Sequence, residues 1–169
     1  MSTTNNTSDR ELVMTRLIDA PRELVFTVWT DPKHIVHWWG PTGFTNTIHK
    51  MDVRPGGKFL LTMHGPDGTD YPNEIVYGEI VKPEKITWSH GSGVEDDPGQ
   101  FKVTVLFEAQ GQKTLLTMRM LFLTKDAKDM VVEKYGAIEG NRQTMDRLEE
   151  YCRTHYTEIM PLIGAAGSQ

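Results

Sequence analysis

Cysteine is almost absent. The 169 residues hold one, Cys152, so no internal disulfide framework is available and a reducing compartment is expected. Long apolar runs are missing too. None approaches the ~20 residues that a membrane-spanning helix needs, so no membrane insertion is expected. Residues 1–10 lack the apolar stretch of a secretory signal. Together these absences predict a cytoplasmic protein. Positive charge is in deficit: 18 Lys and Arg against 23 Asp and Glu leave a net charge of −5, which argues against nucleic acid or anionic lipid as the main partner. Several catalytic strings do not occur: no phosphate loop, no His-Glu-x-x-His and no Gly-x-Ser-x-Gly. His90-Gly91-Ser92-Gly93 lacks the strand-to-helix setting that a nucleophilic serine of that kind requires. There is no internal repeat, low-complexity block or long linker. One domain is expected over residues 11–160, between flexible tails at 1–10 and 161–169.

What is present describes an α+β chain. With 38% hydrophobic and 24% charged residues it can build a core rather than remain disordered. Residues 11–18 are strand-like. Asp19-Ala20-Pro21 then opens a helix, with Pro21 suited to a first helical position and Glu23 placed where the helix dipole favours negative charge. Leu24, Val25 and Val28 form its apolar stripe, flanked by Phe26 and Trp29. Pro32 breaks this helix at Asp31, which can cap a short second one. From residue 45 the period becomes two. Strands are predicted over 45–53, 58–64, 73–81, 85–90, 101–109 and 113–122. Pro55-Gly56 fits a type II turn and Pro66-Asp67-Gly68 a type I turn. Connections this short hold no crossover helices, so the six strands should form an antiparallel meander. Residues 91–100 read as a mobile acidic loop. In the strand over 73–81, Ile75 and Tyr77 compete with Val76 and Ile80 for the interior. A long helix over 126–158 follows, with Val131, Tyr135, Ile138, Arg142, Met145 and Cys152 at helical spacing on one side.

A series of strings carries a resemblance. They are Ala20-Pro21-Arg22-Glu23-Leu24-Val25-Phe26, Trp29-Thr30-Asp31-Pro32, His37-Trp38-Trp39-Gly40-Pro41, Asp52-Val53-Arg54-Pro55-Gly56-Gly57 and Gly65-Pro66-Asp67-Gly68. Pro83-Glu84-Lys85-Ile86 and Val103-Thr104-Val105-Leu106-Phe107 follow. In this order and spacing, over roughly residues 11–151, the chain resembles the activator-of-heat-shock-protein-90-ATPase-homologue-like family. That family is a branch of the START-like (SRPBCC) superfamily. The resemblance implies a helix-grip fold, a curved antiparallel β-sheet wrapped around a long C-terminal helix with an internal cavity. It also implies a small-ligand binder, with a chaperone-interacting module or a cyclase- or hydrolase-type cavity enzyme as alternatives. The eukaryotic namesake has an additional N-terminal domain, for which this chain is expected to have no room. Relatives often carry Gly-Trp in the last helix where this chain has Gly140-Asn141, which bears on the cavity lining there.

Chemistry-bearing residues are scattered. His34 and His37 lie i, i+3 but lack the third and fourth ligands of a zinc site. Cys152 and His155 share that spacing without an orienting third group, so a buried thiol is expected. No catalytic residue, metal or cofactor is assigned, and binding is preferred over catalysis. The expected ligand is a small apolar molecule, held by Trp38, Trp39, Met63, Trp88, Phe107, Met118, Met120, Tyr135 and Ile138. His90, Glu139 and Arg142 should supply polar orientation, the last two as an inward pair at the cavity's polar end. Gly136 and Gly140, i, i+4 in the last helix, imply close backbone approach or space left open for a ligand, or else a kink or interruption of the helix. A homodimer and a chaperone contact are left open as partners.

Overall fold

A computed structural model describes residues 8–91 and 101–167, by backbone alone at 8, 91, 134, 135, 137 and 162–167. Residues 1–7 of the expected tail at 1–10 and residues 92–100 of the expected loop at 91–100 lie outside the described residues.

After a 3₁₀ turn at Ser8–Arg10, the order is β1 (Glu11–Ile18), α1 (Arg22–Thr30), α2 (Pro32–Ile35), β2 (Thr45–Met51) and β3 (Lys58–His64). It continues with β4 (Asp70–Val81), β5 (Lys85–Gly91), β6 (Phe101–Gln110), β7 (Lys113–Phe122), α3 (Lys125–Tyr135) and α4 (Ala137–Gly167). The expected C-terminal tail at 161–169 is helical backbone as far as Gly167, with Pro161 inside the helix.

The seven strands form one antiparallel sheet in the order β1-β7-β6-β5-β4-β3-β2. The six-strand meander forms as its short turns dictate. Gly56, at φ 81°, takes the left-handed position of the type II turn, and the Gly57 N–H closes that turn on the Arg54 carbonyl at 2.8 Å. The seventh strand, β1, pairs with β7 from Glu11 opposite Leu121 to Ile18 opposite Thr114. The segment from β1 through α1 and α2 to β2 therefore travels from one edge of the sheet to the other.

Period two leaves the face of β4 undecided, and a bulge explains why. Ile75 and Tyr77 are buried. The register then slips between Tyr77 and Ile80, opposite β5. The slip reverses the parity, so Ile80 also packs against the core. The Glu79 N–H, displaced from the ladder, donates to Thr87 Oγ1 at 2.7 Å.

Two helical layers cover the concave face. Helix α1 sinks deepest, with Leu24, Val25, Phe26, Val28 and Trp29 all buried. Pro21 is its N-cap rather than its first turn, and its carbonyl accepts the first helical bond from Val25 at 3.1 Å. Asp31 caps α2 as expected, accepting from the Lys33 N–H at 2.9 Å. Helix α4 contributes Met145, Leu148, Cys152 and Ile159 to the core.

The single long helix expected over 126–158 is two helices. Gly136 stands at φ 60°, ψ 44° and caps α3, its N–H bonded to the Val131 carbonyl. Such a left-handed cap is open to glycine at little cost. Gly140 lies inside α4, where an added Cβ would meet Pro41 Cγ at an ordinary 3.5 Å. The two glycines thus answer to opposite constraints. Gly136→Ala should lower unfolding stability by about 1–2 kcal/mol through its left-handed backbone. Gly140→Ala should raise it by up to about 1 kcal/mol through helix propensity. Urea denaturation of both variants checks the opposite signs.

Candidate functional site

Among the described residues the cover is incomplete. Between the β5–β7 end of the sheet and the start of α4 lies a cavity of about 360 Å³. Its sheet wall comprises Met63, Trp88, His90, Phe101, Val103, Met118 and Met120; its helix wall comprises Gly136, Gly140, Asn141, Thr144 and Met145. Trp29 and Trp39 close the floor, and Gly40 and Pro41 form the rim. Met118, Asn141 and Met145 also border a second void of about 200 Å³ on the β1 side of α4. The Asn141 amide lies 3.1 Å from the Met118 sulfur, in the partition between the two voids.

Of the residues expected in the lining, Trp39, Met63, Trp88, His90, Met118 and Met120 meet here. Trp38 and Phe107 do not. Trp38 is wholly buried against Trp29, its indole N–H donating to the Val28 carbonyl at 3.0 Å. Phe107 lies at the opposite end of β6, packed edge-on against Phe26 and Trp29 beneath α1. Alternation identifies the inward face of a strand, but not which part of that face the helices leave uncovered. Tyr135 falls outside the described side chains.

The inward Glu139–Arg142 pair is corrected. Their side chains are 56% and 57% exposed, and they pair with each other on the surface. Arg142 also reaches Asp146 at 3.2 Å. Ile138, 51% exposed, faces outward as well, and with Arg142 it borders only the smaller void. The expected stripe carried its phase from Val131 and Tyr135 across Gly136, where the helix is interrupted. Beyond the break, Asn141, Thr144, Met145, Leu148 and Cys152 occupy the inner side.

Arg147 holds the rim in place. Its guanidinium donates to the carbonyls of His37 (3.0 Å), Trp39 (3.3 Å), Gly40 (2.8 Å) and Pro41 (2.9 Å). The Gln143 side chain accepts from the Thr42 N–H at 3.1 Å. Sequence offers no signal for this role, because the acceptors belong to the backbone of a loop more than a hundred positions away.

Among the described residues, His90 is the titratable group lining the larger cavity. It stacks on Phe101, with centroids 4.9 Å apart and planes 13° from parallel. Its Nε2 lies 2.6 Å from Asn73 Oδ1. Burial drops its imidazole to about 4, so it is neutral at pH 7. The other histidine pairs serve packing. His34 Nδ1 meets the Tyr151 hydroxyl at 2.8 Å, and His37 and His155 stack on the Tyr151 ring. Burial pushes the Cys152 thiol up to about 12, which leaves it un-ionised and a poor nucleophile.

A curved antiparallel sheet gripping a C-terminal helix, with the space left between them, defines the helix-grip class of START-like domains. A family model described as Activator of Hsp90 ATPase homolog 1-like protein matches residues 19–153, and the chain belongs to that family. Among curated proteins none matches. Solved structures share the fold. A protein from Arthrobacter aurescens superposes with a TM-score of 0.80 at 23% identity, covering 90% of this chain and 91% of its own. Protein NE0264 from Nitrosomonas europaea gives 0.77 at 21%, covering 90% and 99%. The AHSA1 protein from Silicibacter pomeroyi gives 0.69 at 19%, covering 86% and 99%. Membership brings a ligand-binding-domain fold. Among the described residues, no helix is long and apolar enough to cross a membrane.

Two outcomes follow from this geometry. His90 has a folded pKa of about 4, below its ordinary 6.5. The unfolded chain therefore binds the extra proton first as pH falls. Stability should drop from about pH 6.5 to about 4 and level off below, by up to about 3 kcal/mol from this group. Thermal unfolding across that range should show a steeper loss for the native chain than for His90→Phe. A double-mutant cycle on Glu139 and Arg142 should give a weak coupling that disappears in high salt, as an exposed pair requires.

Proposed function

We propose that this protein binds one small, mostly apolar molecule in the cavity between the sheet and α4. The observation that carries this reading is the wall itself: three tryptophans, four methionines, Phe101 and Val103 around about 360 Å³, with few polar side chains. That volume and that balance suit a small-molecule site. Methionine adapts to irregular apolar shapes, which favours tolerance of related ligands.

Binding is preferred over acid–base catalysis. An imidazole held near 4 is too weak a base to take a proton efficiently at neutral pH. It is preferred over a chaperone-activating role because that rests on the family's description alone, whereas the cavity is made by this chain's own side chains. The native ligand, a cytoplasmic location and any homodimer belong to the same proposal as matters for experiment.

A neutral solvatochromic naphthalene dye should bind saturably with one site per chain. Met118→Trp, which enlarges a side chain in the partition, should weaken the dye at least about tenfold while leaving the far-ultraviolet dichroism unchanged; overpacking of about 1–3 kcal/mol is enough to do so. Fluorescence titration reads both. Unsaturable binding to the native chain would overturn the cavity reading. Stimulation of chaperone ATPase by a chain that binds no dye would favour the alternative.

A further inference from the structure

The polar atoms of the larger cavity restrict what it can hold, granted the ligand-binding reading above. Asn73 is oriented by its own hydrogen bond, its Nδ2 donating to the Tyr71 carbonyl at 2.9 Å. Its Oδ1 therefore faces His90 Nε2, at 2.6 Å. An amide oxygen only accepts, so Nε2 must carry the hydrogen. A neutral imidazole then has its lone pair at Nδ1. Among the described residues no side chain or backbone group donates to that lone pair. Two positions earlier on the same face of β5, the Trp88 indole N–H is enclosed with no acceptor among the described residues. The wall thus contains one acceptor and one donor that the described residues leave unanswered, both within the sheet's contribution to the cavity.

Charge is the second restriction. Neither lysine nor arginine lines this cavity among the described residues. The nearby Arg147 is taken up by four backbone carbonyls at the rim. A carboxylate or phosphate entering here would leave water without a counter-charge, which is costly.

We infer that the cavity selects uncharged, hydroxyl-bearing aromatic or alicyclic molecules, with His90 Nδ1 accepting the ligand's hydroxyl hydrogen, and excludes their carboxylate counterparts. The stacked Phe101 keeps the His90 ring in its plane, and Asn73 keeps its hydrogen on Nε2. His90 is then a specificity-determining residue and Asn73 a positioning residue. Trp88 supplies an N–H for an oxygen rather than a purely hydrocarbon ligand.

Three compounds of one ring system test this: 2-naphthol, 2-methoxynaphthalene and 2-naphthoate, each titrated against the full chain at pH 7 by calorimetry or dye displacement. The naphthol should bind about fivefold more tightly than the methoxy compound, the worth of one net hydrogen bond. The naphthoate should bind at least about tenfold more weakly than the naphthol. In His90→Phe, which keeps a ring against Phe101 but has no acceptor, the naphthol's advantage over the methoxy compound should vanish. Equal binding of naphthol and methoxynaphthalene to the native chain would overturn this inference and leave the cavity reading intact. So would a hydroxyl preference that survives in the variant, or a naphthoate that binds as well as the naphthol. No binding by any of the three would overturn both.

Discussion

The structure turns on the packing of Trp29. This one side chain, 2% exposed, meets Trp38, Trp39, Trp88 and Phe107 with centroids 5.0 to 6.4 Å apart. Through it α1, the loop after α2, β5 and β6 share a single contact point. Edge-to-face aromatic pairs add about 0.5–1.5 kcal/mol each beyond burial, and their angular preference fixes orientation as well as distance. Because Trp29 is also part of the cavity floor, the cluster that holds the fold together defines the depth of the site.

The cavity follows from how the concave face is shared. Helix α1 covers the far end so completely that Phe107 and Val105 are core. Helix α4 would close the near end, but it starts only after Gly136 and carries no side chain at Gly140. The space those positions leave is bounded by flexible methionines rather than filled. Arg147 and Gln143 meanwhile tie the rim to α4 by hydrogen bonds to backbone. A polar clamp outside and an apolar wall inside let the loop stay in place without closing the opening.

The polar content of this wall has a similar logic. His90 tolerates burial because it is neutral and because Asn73 satisfies one of its nitrogens. Two ionised groups of α4, Glu139 and Arg142, remain in water beside one another, where neither has to be desolvated.

Much of this was legible in the residues. Turn residues such as Pro55-Gly56 and Pro66-Asp67-Gly68 set the meander, since their backbone preferences are local. The caps at Asp31-Pro32 are equally local, and alternation correctly turned Met63, Trp88, Met118 and Met120 inward. Gly136 and Gly140 were visible as exceptions in a helical run, though not which would break the helix. Other features depended on relations between distant segments. The pairing of β1 with β7, the division of β6 into a covered and an uncovered end, and the four carbonyls gathered by Arg147 are of this kind. The helix phase that placed Arg142 inside failed because one left-handed glycine breaks the helical repeat. Local conformational preference and face periodicity are written in neighbouring residues. Which part of a buried face stays open is decided only when the helices dock, because it depends on what distant side chains fill and what they leave empty.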